Sequence, residues 1–407
     1  MLMRYSMHQS LRSSLWLLLG MALRAPAQVD PISRNQIQLG YDQPVTGKGP
    51  QAAYLYYYRN EPQFVRSNLT LRLAVAPAYM DAEIGIKNVL SPSTDLGIGI
   101  AGGLYGDYYY EVRQGKYFRE ESFNGHGGGS SLSLYQRLNP GQLIPLNLVA
   151  RGGFRYSTYL DARKTDDAFE LPEDRWNLYT RAGLRLAGKE PTLYPDLAME
   201  LSVWFEQQWR LDSDEYGFAN DRRVNAASSL YWAYLGAHYA WTNIGHKVNL
   251  DVTAGGSDHA DRFSAWRLGG VLPLVAEFPL ILPGYYFQEL SAERFVHLSA
   301  GYDISLDDQN RWQLRIEGAG ARVDFLPGFE EGRPWHAGIG GGVIYTSRNK
   351  VVKVALRYGY GFEAVRHDEK GAHSIGVLFQ WDFEAMQLKR AKQRSGWTQT
   401  SAPVING

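Results

Sequence analysis

Apolar and polar residues alternate along this chain with a period of two. From Leu197 to Leu211 one phase carries Leu197, Met199, Leu201, Val203, Phe205, Trp209 and Leu211, and the other carries Glu200, Ser202, Glu206 and Arg210. Trp176–Leu186 sets its apolar positions against Asn177, Tyr179, Arg181 and Arg185, and Val352–Phe362 sets its own against Lys353 and Arg357. Leu96–Val112 alternates in the same way and predicts one long strand. The last such segment runs from Ser374, with Ile375, Val377, Phe379, Trp381 and Phe383 facing one way and Ser374, Gly376, Gln380 and Asp382 the other. A period of two is the signature of strands with one apolar and one polar face.

About 14 to 16 such segments fit between Gln51 and Phe383. Hydrophilic stretches (113–124, 161–174, 212–225 and 325–333) alternate with tight turns such as Ser91-Pro92-Ser93 and Asn139-Pro140-Gly141. Long loops on one side and short turns on the other are the asymmetry of an outer-membrane barrel. The tyrosine clusters 54–58, 108–110 and 231–234 are expected to form interfacial girdles. The predicted fold is all-β, a transmembrane antiparallel barrel with an even strand number.

The beginning of the chain supports export. Arg4, His8 and Arg12 precede the apolar run 15–23, and Ala25-Pro26-Ala27 supplies small residues for cleavage. This reads as a signal peptide over 1–27, against the alternative of an N-terminal membrane anchor. Residues 28–50 are expected to be a short N-terminal segment, 51–383 the barrel, and 384–407 a polar tail. No other stretch has the roughly 18–20 apolar residues that a spanning helix needs. With no Cys among 407 residues, thiol chemistry and thiolate metal sites are excluded, and a formal net charge of zero gives no footing for nucleic-acid binding.

Candidate chemistry is sparse. The polar phase carries Arg72, Arg151, Arg155, Arg181, Arg185, Arg315, Arg357, Glu83, Glu111, Glu200, Glu206 and Glu363, among others. These could form a charged substrate path or an ion-paired, solvated interior. His126 near Ser130 and Ser131 leaves a lipid-hydrolase reading open, although Gly127-Gly128-Gly129 reads first as flexible strand entry. The His259 and His367 turns lack a second ligand cluster, so neither metal nor cofactor is expected.

Phe263-Ser264-Ala265-Trp266-Arg267-Leu268-Gly269-Gly270 is followed, across an apolar spacer, by Leu282-Pro283-Gly284-Tyr285-Tyr286. This resembles the sixth extracellular loop of the BamA/TamA superfamily, the bacterial surface antigen barrels. Five alternating segments follow it, as in the sixteen-strand barrels of that family, and the order Ser374, Gly376, Phe379, Trp381, Phe383 resembles a terminal assembly signal. The resemblance implies sixteen strands, a bacterial outer-membrane location and a role in inserting or translocating protein or lipid. It implies as partners outer-membrane lipid and lipopolysaccharide, the outer-membrane assembly machinery and a separate periplasmic component. The family's tip arginine is Pro283 here, and Gly stands where its acidic partner is expected on the strand with Glu317. Arg267, Gly269, Gly270, Pro283, Gly284, Tyr285 and Glu317 are the candidates for a loop lock, with Arg267 expected as the partner of Glu317. Too few residues precede Gln51 for a POTRA arm. A porin-like channel is the alternative, with full pairing between first and last strands where a transporter would be weak.

Overall fold

The computed structural model describes residues 32–104, 108–188, 192–241, 243–274 and 276–387. The signal peptide, the polar tail beyond 387 and residues 105–107 of the expected long strand lie outside them. Among the described residues sixteen antiparallel strands close into a barrel: β1 Arg34–Pro44, β2 Ala52–Pro62, β3 Leu69–Val75, β4 Tyr79–Ser91, β5 Thr94–Gly103, β6 Lys116–Arg137, β7 Leu146–Asp161 and β8 Arg175–Gly188. The second half contains β9 Leu197–Arg210, β10 Ala227–Trp241, β11 His246–Asp258, β12 Leu290–Ser305, β13 Trp312–Phe325, β14 Trp335–Thr346, β15 Val352–Arg366 and β16 Glu369–Asp382.

Alternation sorts the faces as the sequence suggests. On β9, Leu201, Val203 and Phe205 are exposed on the outside, whereas Ser202, Trp204 and Glu206 are buried on the lumen side. Strand β16 closes onto β1 from Gln36↔Asp382 to Pro44↔Ser374, an unbroken ladder of nine register positions. Gln38 donates across that seam to Gln380 at 2.9 Å.

Three expectations change. The barrel begins at Arg34 and not near Gln51, because Ile37, Leu39 and Tyr41 alternate with the buried Gln36, Gln38, Gly40 and Asp42. The 96–112 strand breaks at Gly103. Residues 109–113 instead form a short arm that folds back on β6, with Tyr109 buried. Strand β16 ends at Asp382, and Phe383 opens a helical turn, its ring stacked on Trp381 at 6.0 Å.

The aromatic clusters divide between faces accordingly. Tyr231 faces outward, but Trp232 and Tyr234 are buried in the lumen and Tyr109 lies in a cap. Only part of the expected girdle is membrane-facing.

Long loops gather at the outer mouth. Tyr109, Phe123, Phe169, Tyr216 and Val224 pack there with Phe263 into an aromatic cap. The Glu111 carboxylate lies beneath it without solvent exposure. It accepts from Tyr109 Oη at 2.6 Å and pairs with Arg262 at 3.2 Å. Burial pushes this carboxyl up, but Arg262 and Arg222 outweigh burial and hold it below the usual range.

Candidate functional site: the lumen loop

The connection between β11 and β12, residues 259–289, folds into the barrel. Its entry is capped by Asp261, which pairs with Arg210 of β9 at 2.8 Å and accepts the amides of Phe263 and Ser264. Trp266–Leu268 then adds briefly to the outer end of β12. Beyond it the chain makes a hairpin held by the Gly269 amide on the Leu280 carbonyl at 2.9 Å and by a bridge between Gly270 and Leu282. Leu268, Val271, Leu272, Leu282, Tyr285, Tyr286 and Phe287 are all buried. Each fully buried side chain of this size is worth about 1.5–3 kcal/mol of transfer free energy, so packing is the main stabilisation of the hairpin.

Polar anchors fix it to opposite walls. On the seam side, the Val271 amide donates to Asp42 of β1 at 2.9 Å, and Arg357 of β15 donates to the Val271 carbonyl. The Gly284 amide donates to Ser374 Oγ of β16 at 3.2 Å. On the far side, Glu277 meets Arg181 (3.5 Å) and Arg185 of β8. Phe278 lies among Trp204, Trp232 and Tyr234, with ring centroids 5.2–6.1 Å away. At the exit, Glu289 and Arg366 form a two-pronged ion pair at 2.7 Å with both side chains almost fully buried.

Glycine is needed where the tip meets the wall. Gly284 has φ +85°, and a Cβ there would run into the backbone of Gly361 and Tyr360. Pro283 fits against Gly338, Gly340 and Gly359 of β14 and β15; a Cβ on Gly359 would come within 2.9 Å of Pro283 Cβ. Gly338, Gly340 and Gly359 therefore make a groove for the loop tip.

The sequence-predicted lock residues converge only in part. Gly269, Gly270, Pro283, Gly284 and Tyr285 belong to the lumen hairpin, and Tyr285 Oη meets His336 Nδ1 at 3.1 Å. Glu317 lies one groove away from the tip. A Cβ on Gly340 would sit 3.3 Å from Pro283 Cβ and 3.4 Å from Glu317 Oε1. Arg267 does not reach Glu317. It donates to the Gln288 carbonyl (3.0 Å) and the Tyr110 carbonyl (2.7 Å), tying the loop base to the cap arm. Glu317 is instead paired with Arg315 (2.8 Å) and Arg357, both from the wall. Of the terminal signal, Ser374 and Gly376 face the loop, Phe379 and Trp381 face outward, and Phe383 has left the strand. On β6, Ser131 falls on the face opposite His126, and Ser130 shares its face but stands four residues along the strand, roughly 13 Å away, so neither serine is in hydrogen-bond reach of it there.

Sequence reasoning missed two anchors. Glu277-Phe278 stood inside what read as an apolar spacer; a lone acid in that run was the available signal. The inner turn between β8 and β9 was not singled out either. There Leu193 and Tyr194 reach into the lumen from below, the Leu193 amide donating to Gln380 at 2.9 Å and Lys353 donating to the Leu193 carbonyl at 2.6 Å. Along the β3–β9 wall lies a cavity of about 270 Å³ whose lining includes Arg72, Glu83, Arg151, Arg155, Arg181 and Glu206. Its charges are largely matched, with Arg151–Glu83 at 2.9 Å and Arg181–Glu206 at 2.6 Å.

Solved structures share this architecture. CdiB from Acinetobacter baumannii superposes with a TM-score of 0.57 at 9% identity, over 86% of this chain and 60% of that one. CdiB from Escherichia coli gives 0.55 at 13%, over 86% and 63%. BamA from Haemophilus ducreyi lacking POTRA domains 1–3 gives 0.52 at 9%, over 85% and 70%. What is common is the barrel fold. The chain spans less than two thirds of either CdiB structure. No family model and no curated protein matches the sequence.

Two outcomes are expected. Arg366→Ala leaves the buried Glu289 carboxylate without its cation and should cost about 3–5 kcal/mol, whereas the double change Arg366→Met with Glu289→Leu should cost far less. Urea titration of the refolded protein in liposomes reads both, and equal losses would contradict the pairing. In the outer loop between β13 and β14, burial, with Glu289 adding, pushes Glu331 up to about 7. Its neutral form is the one the folded loop favours, so docking of 326–334 is full below pH 4.5 and weakens as pH rises through about 7. Amide exchange across the loop should accelerate over that window in the wild type and stay flat in Glu331→Gln.

Proposed function

We propose that this chain is a bacterial outer-membrane barrel that translocates or inserts protein, with the 259–289 hairpin as its gate. The observation that carries this is the hairpin itself: it lies within the lumen, yet beyond the short Trp266–Leu268 pairing with β12 it is held by packing and side-chain contacts to two opposite walls. A plug anchored in this way can leave when a client or a periplasmic partner competes for its anchors. The barrel fold common to CdiB and BamA, and the apolar outer face suited to lipid and lipopolysaccharide, support the reading. The full ladder between β1 and β16 is the pairing expected of the channel reading, not the weak seam expected of a transporter, so translocation here must run through the lumen. The charged cavity beside the loop favours a second reading, a diffusion channel for small polar solutes.

Pro283→Cys with Gly340→Cys would staple the tip to β14. The side chains start 3.3 Å apart at Cβ, close to the roughly 3.5–4.5 Å of a disulfide, in a chain with no other Cys; the new Cβ at 340 also lies 2.7 Å from the Tyr358 carbonyl, so the reduced double variant must first match the wild type. Liposomes carrying the wild type should take up an unfolded outer-membrane barrel protein at least several-fold faster than empty liposomes. The oxidised staple should abolish the gain and a reductant should restore it. No acceleration by the wild type would contradict the insertion reading, and indifference to the staple would contradict the gate.

A further inference from the structure

The ladder is not complete everywhere. Strand β2 pairs with β1 along Ala52–Asn60 but with β3 only from Tyr57↔Val75 to Pro62↔Thr70. Strand β3 has just seven residues, and the β3–β4 hairpin turns back at Ala76–Tyr79, joined by the hydrogen bonds between Ala76 and Tyr79. Ala52–Tyr56 thus shows a sheet edge on its β3 side, with no strand partner there among the described residues. Ala53 and Leu55 on this stretch are exposed on the outside, level in register with Tyr41 and Leu39 and, one strand further, with Val377 and Phe379. Those neighbours belong to the apolar outer band. Alternate residues of an edge turn both N–H and C=O towards the missing neighbour, and hydrocarbon offers those groups no substitute.

We propose that the β2 edge at Ala52–Tyr56 is a docking site for an extended segment of another polypeptide, bound by strand addition. The fitting occupant alternates as outer-membrane strands do, apolar residues outward beside Ala53 and Leu55, polar or small residues inward beside Tyr54 and Tyr56. Main-chain pairing supplies the attraction and the alternation supplies the register. The notch opens at the outer end of β2, while β1 and β16 both have their free ends at the inner mouth. The seam is by contrast closed and braced from within by the loop contacts to Asp42 and Ser374. The inference rests on the insertion reading and names β2 as the strand with which an incoming client segment pairs.

Disulfide trapping tests it in the refolded full chain. The probe is a synthetic peptide with the sequence of Ser374–Asp382, its positions changed to Cys one at a time. The protein carries a single Cys at Ala53 (Ala53→Cys), at Tyr41 on the seam, or at Leu201 on β9, which is paired on both sides. Strand addition predicts trapping at Ala53→Cys at least tenfold above Leu201→Cys, strongest at every second peptide position. Trapping strongest at Tyr41→Cys would place strand exchange at the seam and overturn the proposal. Equal trapping at all three sites, or none at Ala53→Cys, would overturn it too, the latter meaning that the chain covers its own edge. Trapping needs no insertion activity, so it can succeed where the liposome assay fails, and the reverse.

Discussion

Everything in this molecule follows from the cost of an unpaired backbone group in hydrocarbon. An amide that water cannot reach needs a partner, and a sheet without a helix to cover it can provide one everywhere only by closing on itself. Closure imposes the period of two, sends Leu201, Val203 and Phe205 to lipid, and leaves Glu200, Glu206, Arg181 and Arg185 inside. A lumen lined by so many charges is stable because they are matched across neighbouring strands. It is also a poor place for an apolar loop unless that loop carries groups that answer the wall.

The 259–289 hairpin carries them at its ends and its bend. Asp261, Glu277 and Glu289 each meet arginines of the wall, and the apolar residues between them pack on one another and on Trp204, Trp232 and Leu378. In the family that the loop resembles, a tip arginine reaches an acid on the wall. Here the tip is Pro283, and the cation beside Glu317 is Arg357, a wall residue whose guanidinium also holds the Val271 carbonyl. Here the ion pair is part of the wall and touches the loop through its backbone. The tip itself is held by the Gly284 amide on Ser374 and by shape, in a groove that Gly338, Gly340 and Gly359 leave open.

Much of the barrel was legible because alternation is a local property. The outward and inward phases of β8, β9, β15 and β16 could be read off residue by residue. The short turns and the placing of five strands after the loop were legible as well. What escaped were features decided by distant partners. Arg34–Pro44 alternates, but with Gln and Gly inside it carried little hydrophobic signal. Leu96–Val112 kept its alternation through a bend at Gly103 that only the recessed β3–β4 hairpin explains. The Arg267 side chain went to the Tyr110 carbonyl because the cap arm, and not the barrel wall, lies above it. Glu277 could not be recognised as an anchor without knowing that Arg181 and Arg185 face it across the lumen.

If the hairpin is the gate, its departure opens the lumen. Single-channel conductance of the refolded protein in planar bilayers tests this most directly, with the wild type beside a deletion of Leu272–Ile281. The expected wild type is closed or opens in brief small steps, and the expected deletion shows large, steady conductance. A large and steady wild-type conductance, unchanged by the deletion, would contradict the gate.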